Sequence, residues 1–225
     1  MMTANNRDKQ DLVDCIRMLE HADYIDHNGH CSIRRDETSF YINSGASIRS
    51  SLTVEDIVAV DLDGILVEGT ARQPLEYHIH SEIYRARPDV NAVAHTHPKW
   101  STFLTMTGHA LKPIYAQGTL VSDAAVLDTP MSVNTRPMGE KMAAALGRKA
   151  VVLLKAHGAV AVGGDILECF ALAAYVEENA YRQYMAMQIG DIYEFSEEEQ
   201  KACREKLWTP NLFRKTWDYY YSKLG

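Results

Sequence analysis

Two histidines separated by one residue, His95 and His97, have the spacing of a metal-binding pair. They end an extended stretch of small and apolar residues, and Pro98 follows them directly. Because side chains alternate between the two faces of a strand, both imidazoles project from the same face. Proline has no N–H for strand pairing, so the pair is expected at a strand end where a cavity can open. The pair predicts a divalent-metal site, although two half-exposed strand histidines that bind nothing have the same pattern.

A third histidine, His157, strengthens the metal hypothesis. It follows the apolar segment Val151–Leu154 and precedes Gly158, so it also belongs near the end of a strand. A lone histidine at such a place is commonly a buried, hydrogen-bonded residue. Beside a same-face pair, however, it completes a site of three imidazoles with an open coordination position. That open position is typical of catalytic rather than structural metal sites.

Glu76 is the candidate carboxylate for this site. It follows Pro74 and lies in the first turn of a helix predicted over residues 75–87. The helix dipole favours a negative charge there, so a capping role is the alternative. His80, four residues further on, shares a helical face with Glu76 and is predicted either to support the site or to contact substrate.

The elements that must position these residues follow from periodicity and from turn signals. The predicted helices cover residues 8–22, 75–87, 98–106, 138–146 and 165–189, with two more between 196 and 221. The predicted strands cover residues 31–34, 39–42, 57–62, 65–68, 91–97, 151–154 and 159–162. This mixture, with hairpins among the strands, predicts an α/β or α+β fold with a largely antiparallel sheet. No internal repeat or linker interrupts it, which predicts one domain over residues 1–225 with a helical tail from about 196 to 225.

Composition excludes several classes of partner. The 225 residues include 23 basic and 30 acidic side chains, for a net charge of −7. This balance argues against nucleic acid or an acidic membrane as a partner. No apolar run approaches the roughly 20 residues that a membrane span needs, and the polar start MMTANNRDKQ does not resemble a signal peptide. The four cysteines form no C-x-x-C pair, which predicts a reduced, cytoplasmic protein.

Further motifs surround the histidines at characteristic distances. They are Gly29-His30-Cys31-Ser32-Ile33-Arg34, Ser44-Gly45, Asp61-Leu62-Asp63-Gly64, Glu76, His80-Ser81-Glu82-Ile83-Tyr84, Arg87-Pro88-Asp89-Val90, His95-Thr96-His97-Pro98 and Lys155-Ala156-His157-Gly158. From about residue 8 to residue 189, this set resembles the class II aldolase/adducin family. The resemblance implies a three-layer α/β/α sandwich with a central, mainly antiparallel sheet. It also implies a homotetramer with active sites at the subunit interfaces.

The resemblance further implies how the site is built. It assigns a divalent ion, zinc or alternatively manganese, to three ligands: His95, His97 and His157. Glu76 matches the metal-proximal glutamate, an acid/base that can leave the metal when substrate binds.

Tyrosines complete the site that the resemblance implies. Tyr115 matches an acid/base tyrosine, and Tyr220 or Tyr221 of a neighbouring subunit's tail would add another. Ser44 and Gly45 would offer an anion contact through the backbone.

Departures from the sugar-phosphate members argue against a phosphorylated substrate. Those members hold phosphate with a Gly-Asn-Val/Ile-Ser segment and with hydroxyl residues before the glutamate. Here the first segment begins Gly29-His30 and the second is Gln73-Pro74-Leu75, in which proline offers no N–H and leucine no hydroxyl. The Gly29-His30 version of the first segment and the stretch over residues 79–90 resemble the family's branch of hydroxy-aromatic-acid decarboxylases. His30 is therefore either a substrate contact or a turn residue in left-handed geometry.

The sequence leads to one principal function and two alternatives. The principal one is metal-dependent decarboxylation of a hydroxylated aromatic or heteroaromatic acid, a small anionic substrate, through a metal-stabilised enolate. The first alternative is retro-aldol cleavage of a sugar or a sugar phosphate at the same site. The second is a non-enzymatic interaction module of the adducin type. Retention of all three histidines argues against this last alternative, because adducin-type relatives lose them.

Overall fold

The computed structural model describes residues 4–224. Its helices are α1 (Ala4–His21), α2 (Tyr77–Ala86), α3 (Lys99–Met106), α4 (Arg136–Leu146), α5 (Ile166–Ile189), α6 (Glu197–Leu207) and α7 (Pro210–Tyr221). Its strands are β1 (His30–Arg34), β2 (Ser39–Asn43), β3 (Ile57–Asp61), β4 (Leu66–Glu68), β5 (Ala92–Thr96), β6 (Ala125–Leu127), β7 (Val151–Leu154) and β8 (Gly158–Gly163). Helices α6 and α7 lie in the segment for which a helical tail was predicted. The division into one domain over residues 1–225 with that tail stays a prediction, and it includes termini outside the described residues.

Within the described chain, the strands form one mixed sheet of eight in the order β4-β3-β2-β1-β5-β8-β7-β6. The β6–β7 pair is parallel, and the other pairings are antiparallel. A parallel pair needs a crossover connection, which α4 provides between β6 and β7. The prediction of a central, mainly antiparallel sheet is therefore confirmed.

Helices cover both faces of the sheet, and each face has its own apolar core. Along β5, Ala92 and Ala94 belong to the core beneath α1 and α5, whereas Val93 belongs to the core beneath α2 and α4. This alternation is what a two-sided sheet requires of a buried strand. The three-layer α/β/α sandwich is confirmed. His95, two residues after Val93, consequently faces the α2 layer.

The start of α2 differs from the prediction in a way that matters for the site. The helix begins at Tyr77, and Glu76 is its N-cap residue, but the Glu76 carboxylate makes no capping hydrogen bond. The capping alternative for Glu76 is therefore wrong. At α5, by contrast, the side chain of Asp165 accepts a hydrogen bond from the N–H of Glu168, so Asp165 is an N-cap as predicted.

The C-terminal helix α7 packs beside α1 and α5. Trp217 meets the ring of Phe170 edge-on, with 5.6 Å between centroids, and both side chains are buried. This contact attaches the tail to the core on the face opposite α2. None of the helices described is both long enough and apolar enough to cross a membrane.

Candidate metal centre

The three predicted ligands meet at one end of the sheet because of how β5, β7 and β8 pair. His95 is in β5 and His97 directly follows that strand, while His157 lies in the tight turn that joins β7 to β8. β8 lies between β5 and β7 and pairs antiparallel with both, so its first residues adjoin the end of β5. Ala156 has a positive φ of 53°, and the N–H of His157 bonds to the carbonyl of Leu154 at 3.1 Å. The sharp turn therefore holds His157 beside the other two rings.

The side chains of Glu76 and the three histidines converge on one point. One ligand atom from each of them lies within 4.8 Å of the others. The Nε2 atoms of His95 and His97 are 3.1 Å apart. Glu76 Oε2 lies 3.5 Å from His95 Nε2, and Glu76 Oε1 lies 3.9 Å from His157 Nε2. This is the four-residue cluster that the sequence predicted.

Hydrogen bonds on the far sides of two rings determine which nitrogens face the centre. Nδ1 of His95 lies 3.1 Å from the carbonyl of Ala159, and Nδ1 of His97 lies 3.1 Å from a carboxylate oxygen of Asp26. Both partners only accept, so both Nδ1 atoms donate. In the neutral rings, each Nε2 then carries a lone pair directed at the other and at the Glu76 carboxylate.

Lone pairs that converge in this way repel one another unless a cation lies between them. Three imidazole nitrogens and one carboxylate oxygen are a donor set that several divalent transition metals accept. The partners of His95 and His97 are also those that metal-bound histidines usually have, namely a carbonyl and a carboxylate. The residues present therefore fit a divalent metal ion.

A loop before α4 holds the Glu76 carboxylate in place. Its Oε1 accepts a hydrogen bond from the Ser132 hydroxyl at 2.8 Å and another from the N–H of Val133 at 2.7 Å. Burial raises the pKa of Glu76, but the contact with the His95 ring in its protonated form and the hydrogen bonds from Ser132 and Val133 outweigh burial and hold that pKa well below its usual range. Glu76 is thus ionised, and its Oε2 makes neither of these two bonds. No sequence motif marks Ser132 or Val133.

A cavity of about 490 Å³ opens onto the cluster. Among the predicted site residues, its lining includes His30, Gly45, Glu76, His97 and His157. His95 has no solvent-exposed surface and forms the floor of the cluster. The cavity gives a small molecule access to the position where a metal would lie.

His30 lies beside the cluster in β1, where it is paired with His95 across the ladder. Their ring centroids are 5.0 Å apart. The turn alternative for His30 is wrong, because the left-handed residue is Gly29, with a φ of 84°. A side chain on Gly29 would collide with Ile25, so this position requires glycine.

His80 is completely buried behind His30 rather than in the cavity. Its Nε2 lies 2.6 Å from His30 Nδ1, and its Nδ1 lies 2.6 Å from the hydroxyl of Ser32. That hydroxyl is also 2.7 Å from the hydroxyl of Tyr84. Burial lowers the pKa of His80 to about 3, so its ring is neutral. The predicted substrate contact by His80 is corrected accordingly: it supports His30, which itself lines the cavity.

The predicted backbone anion contact at Ser44 and Gly45 is not available. The N–H of Ser44 donates to the carbonyl of Asp56 at 2.8 Å, and the N–H of Gly45 donates to the carbonyl of Arg72 at 2.9 Å. Both donors are therefore used within the chain. The Gly45 backbone still lines the cavity and packs against Gln73 and Pro74.

The predicted tyrosines Tyr115 and Tyr220 do not line this cavity. Tyr115 stacks under the guanidinium of Arg182, 4.5 Å from its ring centroid, and its buried hydroxyl has no hydrogen-bond partner within residues 4–224. The Tyr220 hydroxyl lies 2.8 Å from that of Tyr24 and donates to Glu178 at 3.4 Å. Burial raises the pKa of Tyr115 above its usual range. Within one chain, therefore, neither tyrosine joins the Glu76 cluster.

The fold and the cluster together define a three-layer α/β protein with a three-histidine, one-glutamate site at the end of its sheet. Residues 10–184 match the family model described as Class II Aldolase and Adducin N-terminal domain. The chain belongs to this family.

Named relatives carry two different activities. The chain is 27% identical over 172 residues to an L-fuculose phosphate aldolase of Methanocaldococcus jannaschii, covering 76% of this chain and 92% of that protein. It is 31% identical over 163 residues to a 3,4-dihydroxyphthalate decarboxylase of Arthrobacter keyseri, covering 66% of each. The L-fuculose 1-phosphate aldolase of Glaciozyma antarctica has the same fold, with a TM-score of 0.86, 22% identity and coverage of 97% of this chain and 88% of that one.

Proposed function

We propose that this chain is a divalent-metal-dependent carbon–carbon lyase that decarboxylates a hydroxylated aromatic or heteroaromatic acid. The observation that carries the proposal is the convergence of His95 Nε2, His97 Nε2 and the Glu76 carboxylate at the edge of a cavity. Membership of the aldolase and adducin family and the similarity to a 3,4-dihydroxyphthalate decarboxylase support it. We assign zinc as the ion, with manganese as the alternative, because the donor set suits both.

The three histidines would hold the ion, and the chemistry supplied when it is bound is Lewis-acid stabilisation of negative charge on substrate oxygens. Glu76 acts as acid and base through Oε2, because Ser132 and Val133 hold Oε1. Moving a proton at Oε2 leaves these two bonds intact, so the carboxylate keeps its orientation. His30, fixed from behind by His80, orients the substrate from the wall of the cavity.

The shortage of free hydrogen-bond donors near the cavity mouth favours decarboxylation over aldol cleavage of a sugar phosphate. The N–H groups of Ser44 and Gly45 are already used, and Pro74 has none, so this part of the wall offers a phosphate few hydrogen bonds. Retro-aldol cleavage of a sugar phosphate remains the second candidate, because the relative in M. jannaschii is a fuculose phosphate aldolase.

The assembled enzyme is proposed to be a homotetramer with active sites between subunits. The proposal accounts for Tyr115 and Tyr220, which do not line the cavity of their own protomer. From a neighbouring subunit, a tail tyrosine would protonate the product carbon, whereas the Tyr115 hydroxyl is buried in its own chain. Tyr221, whose side chain is half exposed, is the other tail candidate.

Product analysis tests the reaction. Purified protein loaded with zinc or with manganese is incubated with 3,4-dihydroxyphthalate and, separately, with fuculose phosphate. Release of carbon dioxide from the aromatic acid is the expected result, whereas an aldehyde released from the sugar phosphate alone would establish the aldolase. Absence of both reactions, together with no bound metal, would identify a non-enzymatic module.

Matched histidine variants show whether the cluster carries the activity. His95→Ala should abolish both metal binding, measured by elemental analysis, and turnover. His109→Ala is the control, because that exposed ring contacts Thr107 away from the cluster. Full activity of His95→Ala after chelator treatment would refute the metal assignment.

A further inference from the structure

One wall of the cavity carries a buried arginine, Arg49, that the sequence did not single out. It begins a short 3₁₀ turn, Arg49–Ser51, and only 5% of the residue is exposed. Its Nε donates to the carbonyl of Gly29 at 3.1 Å, and its Nη1 donates to the carbonyl and to the hydroxyl of Ser47. These bonds fix the guanidinium beside the residue that precedes His30.

All three hydrogen-bond acceptors of Arg49 are neutral. The Asp26 carboxylate attracts the charge of Arg49 and so raises its pKa, but Asp26 bonds to His97 and not to Arg49. Arg87, by contrast, pairs with Asp89 at 2.7 Å. A buried cation without a hydrogen-bonded counter-ion is unfavourable, and burial lowers the pKa of Arg49 from its usual value. An anion in the cavity would remove this penalty.

The remaining nitrogen of Arg49, Nη2, is free to provide that contact. It has no acceptor among residues 4–224, and it is not among the enclosed polar atoms that lack a partner. Arg49 lines the same cavity as Glu76 and His157. It also lines a neighbouring cavity, together with Asp26 and His97. A ligand in the cavity that the cluster and Arg49 share would meet a guanidinium whose charge and planar shape suit carboxylates.

The chemistry of decarboxylation restricts which carboxylate Arg49 can hold. When carbon dioxide leaves, the carbon–carbon bond breaks, its electron pair stays on the ring carbon, and that carbon takes up a proton. An ion pair to the departing group would stabilise the anionic ground state and oppose the loss of a neutral molecule. A group retained in the product keeps its charge throughout, so the ion pair opposes no step.

We propose that Arg49 binds a second carboxylate that the substrate retains, so that the substrate is a hydroxylated aromatic dicarboxylic acid. This inference rests on the proposed decarboxylase function and adds the class of substrate to it. Gly29, His30 and Arg49 then form one recognition wall: the Gly29 carbonyl orients Arg49, and the ring of His30 lies beside the bound anion.

Binding measurements with two ligands, made on the wild-type protein and on Arg49 variants, test the role of Arg49 without requiring turnover. We call this set of measurements the binding cycle. The probes are 3,4-dihydroxybenzoate and catechol, which share the two hydroxyl groups and differ by one carboxylate. Calorimetric titration of the metal-loaded wild-type protein should show the acid binding roughly 10- to 100-fold more tightly than catechol, as expected for a charge-assisted hydrogen bond. Arg49→Met should remove this preference and leave the catechol affinity within about twofold, whereas Arg49→Lys should retain part of it.

Control variants and a second pair of probes separate the outcomes. Arg214→Met, on the exposed surface of α7, should behave as wild type. Equal loss of affinity for acid and catechol in Arg49→Met would mean a purely structural arginine and would overturn the proposal. The second pair of probes is dihydroxyacetone phosphate and its uncharged analogue dihydroxyacetone. If Arg49→Met loses affinity only for dihydroxyacetone phosphate, Arg49 binds a phosphate and the proposal is overturned.

The reaction itself is scored separately, by carbon dioxide release from 3,4-dihydroxyphthalate. If the binding cycle succeeds and no carbon dioxide is released, the proposed reaction fails while recognition of a carboxylate by Arg49 stands. If carbon dioxide is released and Arg49→Met binds both probes as the wild type does, the reaction stands and the inference about Arg49 fails.

Discussion

Nδ1 of His30 and Nε2 of His80 lie 2.6 Å apart, and this contact is the first of a buried series that ends at the Tyr84 hydroxyl. The series joins the cavity wall to the interior of the α2 layer through Ser32. Each member after His30 has its polar atoms within the protein. The orientation of His30 is therefore set by residues that a substrate does not touch.

Removing the Ser32 hydroxyl should destabilise the protein. Ser32→Ala leaves His80 Nδ1 and the Tyr84 hydroxyl without their common partner, and a buried polar group left unpaired costs roughly 1–3 kcal/mol. Urea unfolding of the metal-free protein measures this change in the free energy of unfolding. Ser51→Ala, at an exposed serine, is the control and should change it little. Equal stability of the two variants would show that the series contributes nothing.

Asp26 should tune the affinity for metal although it is not a ligand. Its carboxylate accepts from His97 Nδ1 at 3.1 Å and so fixes the ring with Nε2 toward the cluster. Asp26→Ala should weaken metal binding by about 10- to 100-fold, the usual effect of losing such a partner. Competition with a chromophoric chelator measures the dissociation constant. Asp218→Ala, which removes an exposed carboxylate, is the matched control. An unaltered dissociation constant for the metal in Asp26→Ala would contradict the assigned orientation of His97.

Gly158 should be required at the junction of β5 and β8. A Cβ there would overlap the carbonyl oxygen of Thr96 and lie 3.1 Å from Cδ2 of His97. Gly158→Ala should therefore lower the free energy of unfolding by about 1–3 kcal/mol and also weaken metal binding, because it separates two strand ends that carry ligands. Thermal unfolding and metal titration measure both effects. Gly190→Ala, where the added Cβ meets nothing within 4 Å, should leave both unchanged.

Metal should stabilise the folded chain. Without a cation, the lone pairs of His95, His97 and Glu76 repel, and a ligand that binds only the folded state at 1,000 times its dissociation constant adds about 4 kcal/mol. Calorimetric unfolding with and without zinc should show this as a higher Tm. His157→Ala should lose most of the gain, and His109→Ala should keep it. A Tm of the wild type that does not respond to zinc or to manganese would contradict the metal centre.

The sequence predicted the parts of the site that local pattern encodes. The alternation around His95 and His97, the proline after them and the turn at His157 indicate strand ends, and the structure brings those ends together. The mainly antiparallel sheet followed from hairpin signals. These features depend on residues that are close in the sequence.

Other parts of the site depend on packing between distant segments. Ser132 and Val133 reach Glu76 from a loop more than fifty residues away, and Arg49 reaches the carbonyl of Gly29 across a different loop. No regular spacing in the sequence predicts either contact. The choice between the two predicted roles of His80 was open for a related reason: helical spacing put it on the face of Glu76, but its depth depends on how α2 lies on the sheet.

The position of β8 between β5 and β7 has a consequence for the newly made chain. Both neighbours precede β8 in the sequence, yet neither can acquire its full set of main-chain partners until β8 has been synthesised and inserted. Such non-local pairing forms slowly, because loop closure must come first. His95 and His157 are therefore brought together only at this stage. We therefore expect the metal ion to bind only after β8 has paired with β5 and β7. Metal binding would then follow the completion of the sheet and would not direct it.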